Sequence, residues 1–158
     1  MRIAMEPKQA AHKIKHWYLM HSRVIEFQIN GGEPFTLFEK LTVEKQTAIT
    51  KQINFNSKEI PILVLTINTS TYVVNTNERF IKITSKNIES VYYEEFETIV
   101  FYQSIHSKIE KMSPTKLVDI GLKKTDGDMV FWKIPAGEFY HFWDVARRVD
   151  TIRIINDK

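Results

Sequence analysis

The sequence contains no cysteine. That removes disulfides, thiolate metal sites and a cysteine nucleophile together, and it fits a cytoplasmic protein. Five glycines are too few for a nucleotide-cradling loop in addition to the turns that need them. No apolar run approaches the ~20 residues of a membrane span. The first twenty-one residues hold no unbroken apolar stretch and no small-residue cleavage site, which argues against a secretory signal. A GxSxG elbow, a dinucleotide fingerprint and HEXXH are also missing. The expectation is a non-enzyme with no cofactor and no metal, although an enzyme of unknown class stays open as a lesser reading.

What is present is apolar and aromatic. Hydrophobic residues make up 43% of the 158 positions and ten are Phe, enough for a real core in one domain. The net charge of +3 is uneven. Residues 1–23 carry Arg2, Lys8, Lys13, Lys15 and Arg23 against Glu6 alone, so the rest of the chain is slightly acidic. The basic balance therefore belongs to the N-terminal segment. A globally basic nucleic-acid binder would look different.

Periodicity divides the chain. Residues 6–22 read as a helix with Pro7 in its first turn and Ala10, Ile14, Trp17, Tyr18 and His21 near one face. Residues 24–29 could form a short strand or prolong that helix, and Asn30-Gly31-Gly32 is a break. Thr36-x-x-Glu39 fits a capping box, and Thr42 is a second candidate N-cap for a helix running to about Ile53. Phe55-Asn56-Ser57-Lys58 is polar punctuation and the best candidate boundary. After it the period becomes that of strands: 62–67, 72–75, 79–84, 88–93 and 98–104, with a polar loop over 106–115.

The stretch Lys116 to Asp150 reads as a hairpin closed by a helix. Val118, Ile120 and Leu122 alternate with polar or small neighbours, Asp126-Gly127 supplies a tight turn, and Val130, Trp132 and Ile134 share a face of the return strand. Phe139, Phe142, Trp143, Ala146 and Val149 then fall at helical spacing. The reading is α+β: a helical N-terminal arm over 1–57, a curled antiparallel sheet of about seven strands capped by a C-terminal helix over 58–150, and a tail over 151–158.

Tyr72-Val73-Val74-Asn75-Thr76-Asn77-Glu78-Arg79-Phe80-Ile81, followed by Ile88-Glu89-Ser90-Val91 and the hairpin and helix above, resembles the bacterial pleckstrin-homology-like domains over residues 58–150. The resemblance implies a PH-like barrel used for protein or peptide contacts, often for self-association. Phosphoinositide-binding members place Lys and Arg in the loop joining their first two strands. Asn68-Thr69-Ser70-Thr71 has no positive charge, which argues against that ligand here.

The candidate binding residues are Lys8, Lys13, Lys15, Trp17, Arg79 and Tyr140. The lysines with Trp17 could touch nucleic acid or an anionic surface; against this, Trp17, Tyr18 and Ile14 could simply pack on the domain. His12, His16 and His21 have helical spacing but no acidic companion, so solvated histidines are the stronger reading. Glu94, Glu95 and Glu97 read as a solvated turn or edge guard, or as a contact for the basic helix. Arg79 should pair with a carboxylate or cap backbone carbonyls, and Tyr140 falls off the apolar stripe. The leading function is a non-catalytic module binding a protein partner or itself, with the nucleic-acid or anionic-surface binder as the alternative.

Overall fold

The computed structural model of the chain describes residues 3–20, 26–100 and 108–154. The fold is α+β, built on two antiparallel sheets. Strands β2 (Phe35–Leu37), β3 (Pro61–Asn68), β4 (Thr71–Thr76), β5 (Arg79–Ile83) and β6 (Ile88–Tyr92) form the first, in that order. β7 (Phe96–Val100), β8 (Leu117–Lys124) and β9 (Met129–Pro135) form the second. Among the described residues the ladders do not close into a barrel. Helix α1 (Pro7–Met20) precedes the first sheet, with a helical turn, α2 (Glu26–Ile29), after it. α3 (Val43–Thr50) lies between β2 and β3, and α4 (Phe139–Val149) follows β9. A two-stranded parallel ribbon joins β1 (Ile3–Met5) to β10 (Ile152–Ile154), so both ends of the described chain meet.

Local chemistry explains most boundaries. Pro7 opens α1, where its missing N–H costs nothing. Thr42 caps α3 by accepting from the Lys45 N–H at 3.2 Å. Gly127, with φ of 96°, supplies the turn between β8 and β9. The earlier capping box does not form. Thr36 sits buried in β2 and its hydroxyl donates to the Gln28 carbonyl, because strand pairing with β3 outcompetes a helix start there. Residues 26–29 are helical rather than a strand; 24 and 25 lie outside the described residues. β7 begins at Phe96, two residues earlier than expected, and the expected strand's end at 101–104 lies outside them too.

The central strands β3 to β5 of the first sheet are buried on both faces. Leu63, Leu65, Val73 and Phe80 point into the main core, which they share with Val118, Ile120, Leu122, Trp132 and Ile134 of the second sheet. Phe139, Phe142 and Val149 of α4 and Ala10, Ile14 and Tyr18 of α1 complete that core. Val64, Val74, Ile81 and Ile83 point the other way, onto Phe38, Leu41, Ile49 and Ile53. Strand alternation accounts for the split, since Val64 pairs with Val74 and Val74 with Ile81 across the ladders. The β8–β9 hairpin has only its inner face covered in this way.

Candidate interaction surface

The turn from β4 to β5 fixes Arg79 completely. Its Nε donates to Glu59 Oε2 at 2.8 Å and its Nη2 to Glu59 Oε1 at 2.9 Å, a bidentate pair whose carboxylate is shielded from solvent. Nη1 donates to Ser90 at 3.0 Å, Nη2 also to the Asn54 carbonyl at 3.0 Å, and the guanidinium lies 5.2 Å from the Tyr92 ring centroid. Arg79 thus both pairs with a carboxylate and caps a carbonyl. Burial opposes its charge, but the bond to Glu59 and that group's field outweigh this and hold its pKa above the ordinary value. Thr76 donates to Glu59 at 2.7 Å, and Asn77 donates to the carbonyls of Pro7 and Lys58, each at 3.1 Å. The junction ties α1, residues 54–60 and the sheet together, with four Arg79 side-chain hydrogen bonds made within the protein, so it offers a ligand little.

Turning 100° per residue, α1 does not gather its basic residues. Ala10, Ile14 and Tyr18 form the buried stripe. Lys8 and Lys15 lie along one flank, and Lys13 sits roughly 140° around from Lys8, beside Trp17. Lys15 pairs with Glu39, whereas Lys8 and Lys13 are exposed. Trp17 is half-buried against the core, and so is Tyr140, whose ring meets Phe139 edge-on at 5.4 Å. A groove of about 570 Å³ runs between Glu6, Pro7 and Lys8 on one side and Ser57 to Ile60 on the other. Its charges alternate in sign, so no single ion type is favoured. His12 and His16 are exposed, His21 lies outside the described residues, and no group of three potential metal ligands occurs among those described.

The acidic cluster serves the sheet. Glu95 accepts the Tyr92 N–H at 3.1 Å and lies 3.7 Å from Lys124; Glu97 lies 3.4 Å from Lys123. Behind α4, Gln28 donates to both oxygens of Glu138 at 3.1 Å, and His141 Nδ1 meets Glu138 at 2.6 Å. Burial, and then the charge of Glu138, push the Tyr18 hydroxyl's pKa upward while it donates to the Phe35 carbonyl at 2.6 Å.

The open surface lies elsewhere, on the outer face of the second sheet. Phe131 is 57% exposed, Leu117 42% and Val100 39%. Phe131 and Val100 flank Gly121, which pairs with Phe131 on β9 and Val100 on β7, while Leu117 stands four residues along β8 on the same face, beyond the Asp119–Lys133 rung. A Cβ on Gly121 would lie 2.7 Å from the Met129 methyl and 3.3 Å from the Phe131 ring. Both side chains thus spread over the glycine and flatten the face. Lys123–Glu97 and Lys133–Asp119, the latter at 3.9 Å, flank Phe131 and Val100 with balanced charge, and Lys133–Asp119 separates them from Leu117.

No protein-family model matches the chain, and no curated protein matches it.

Among the described residues no helix is long and apolar enough to cross a membrane. Sequence reasoning missed Phe131, Leu117 and Val100. The sequence does place Val130, Trp132 and Ile134 together on the inner face, but Met129-Val130-Phe131-Trp132 is apolar on both parities, so nothing in it marks Phe131 as exposed.

Proposed function

We propose that this chain is a non-catalytic interaction module of PH-like architecture, acting in the cytoplasm, which binds a protein through the outer face of its β7–β9 sheet. The observation that carries the reading is the pair Phe131 and Val100, with Leu117 farther along the same face, exposed on a sheet whose other face is packed. Exposed apolar side chains grouped on one face and rimmed by ion pairs are the composition of a protein contact, with an apolar centre and a polar edge. Strands β3 to β9 followed by α4 supply the seven strands and closing helix that the resemblance calls for, and this supports the PH-like reading. β2 is an addition to that pattern.

The test is affinity capture from native lysate on the immobilised full-length chain, eluted by a salt step, beside a V100T/L117S double variant. A discrete protein held at high salt by the native chain and lost by the variant supports the reading. Capture of nucleic acid or lipid that salt releases, and that K8E/K13E abolishes, would move the function to α1.

A further inference from the structure

The geometry points to a second copy of this chain as an occupant of the β9 edge, through a two-fold antiparallel pairing centred on Phe131. The inference deepens the interaction-module reading and rests on it. Within the β8–β9 ladder, the Lys124 N–H donates to the Asp128 carbonyl at 2.8 Å and the Ala136 N–H to the Lys116 carbonyl at 2.7 Å. These fix which rungs are hydrogen-bonded. The intervening pairs Asp119–Lys133, Gly121–Phe131 and Lys123–Met129 occupy the alternate rungs. The backbone N–H and C=O groups of Met129, Phe131 and Lys133 therefore point away from β8. Among the described residues β9 has β8 as its one strand neighbour.

The edges of β1, β2, β6 and β10 are blunted, and β7, the opposite edge of the second sheet, is five residues long among the described residues. β1, β2 and β10 are three residues each. On β6 the Glu95 carboxylate takes the Tyr92 N–H. β9 is seven residues long and carries an exposed aromatic at its middle. Such an edge is a template for another strand unless something covers it.

The strand is complementary to itself. Placing Phe131 opposite its own copy sets Met129 opposite the other copy's Lys133 and satisfies every outward donor and acceptor of the three residues. Pro135, which has no N–H to give, then falls opposite Gly127 in the turn, beyond the ladder. Sliding the pair by two residues toward Pro135 would put the proline inside it. Charge favours the same arrangement. Asp126 and Asp128 stand exposed at one end of β9 and Lys133 at the other, so antiparallel pairing brings opposite signs together. Phe131 stacks on its copy, and the two three-stranded sheets become one sheet of six. Six backbone bonds and two aromatic rings make a small interface, of the size of transient complexes.

Sedimentation equilibrium of the full-length chain over a wide concentration range tests this, together with amide exchange and two variants. Phe131→Lys puts a charge on the two-fold axis. Lys133→Pro removes an outward N–H, together with the exposed Lys133–Asp119 pair, and leaves the β8 hydrogen bonds and the aromatic in place. The expected result is a concentration-dependent dimer that each variant weakens by about tenfold or more, since the lost group is missing from both copies. Far-UV circular dichroism should stay unchanged, and protection of the Met129, Phe131 and Lys133 amides should rise with concentration. A monomer at all concentrations overturns the inference, as does a dimer that both variants leave intact. If the chain stays monomeric while Phe131→Lys abolishes capture of a different protein, the interaction-module reading survives with another occupant. A monomer that captures no protein removes both.

Discussion

The two sheets of this molecule are treated differently. The central strands of the five-stranded sheet are sealed on both sides, by the main core and by the Phe38, Leu41, Ile49 and Ile53 cluster, and Val64, Val74, Ile81 and Ile83 are fully buried, whereas its edge strand β6 leaves Ile88 and Tyr92 exposed. The three-stranded sheet is sealed on one side, and its outer face shows Phe131, Leu117 and Val100 to solvent. Substitutions in the first should therefore act on stability, and substitutions on the outer face of the second should act on association. The lesson extends to ionic groups. The buried Arg79–Glu59 pair belongs to the sealed sheet and is spent on architecture, whereas Lys133 and Asp119 on the open face are loosely joined and solvent-exposed.

The largest effect that could break this comparison comes from removing the seal. A chain beginning at Lys58 loses β1, α1, β2 and α3, which exposes Val64, Val74, Ile81 and Ile83 on one face and opens the main core at Ala10, Ile14 and Tyr18. It should show no cooperative thermal transition by circular dichroism; a sharp melt would mean that the sheets stand without their cover. The next largest is Arg79→Met, which strands the Glu59 carboxylate. Losing one partner of a buried pair costs roughly 3–5 kcal/mol, measurable as a fall in the urea midpoint. A change within experimental scatter would show that water repairs the junction and that this region is less closed than its geometry implies.

Much of the fold was legible because the strands obey a simple period. The stretches 62–67, 79–84 and 88–93 lie within a residue of the observed strands, and the Phe139–Val149 helix follows its stripe. The role of Arg79 was legible too, as a cation beside a tight turn. Glu59 was not, because nothing local marks a carboxylate twenty residues away as its partner. The same limit hid Thr36, whose capping pattern is genuine in sequence but loses to pairing with β3, and the β1–β10 ribbon, whose strands sit at opposite ends of the chain. The exposure of the outer face was hidden for another reason: the common face of Val130, Trp132 and Ile134 was legible, but a run apolar on both parities from Met129 to Trp132 does not say that Phe131 opposite them meets solvent.

A smaller effect sharpens the comparison through pH. Tyr18 is buried and donates to the Phe35 carbonyl, and burial with the Glu138 charge raises its pKa above the ordinary phenol value of 10.0. The folded state thus holds the neutral phenol while the unfolded chain ionises. This contribution is fully present below pH 10 and is lost as pH climbs from there toward the folded value. Tyr93, buried as well and with its pKa raised in the same direction, adds to the slope. Tyr18→Phe should cost about 1–3 kcal/mol at neutral pH by leaving the carbonyl unpaired, and should flatten part of the alkaline decline. Urea midpoints measured from neutral to alkaline pH test both. A variant with an unchanged alkaline slope would show that Tyr18 is not sealed in the native state.

The smallest expected change in stability is also the most informative for function. Leu117 is 42% exposed on the outer face, and replacing it by Ser removes apolar surface that the folded monomer already leaves in water. Such surface substitutions alter stability by no more than about 0.5 kcal/mol, so the urea midpoint of Leu117→Ser should match the native one. Partner capture should nonetheless fall, because a bound partner would bury that side chain and each buried methylene contributes about 0.8 kcal/mol. The combination is what separates the two sheets. A variant of the sealed sheet that weakens binding will also unfold more easily, whereas Leu117→Ser should weaken binding at constant stability. If Leu117→Ser destabilised the chain by as much as a core truncation, the outer face would itself be covered, and the contrast between an architectural sheet and a binding sheet would not hold.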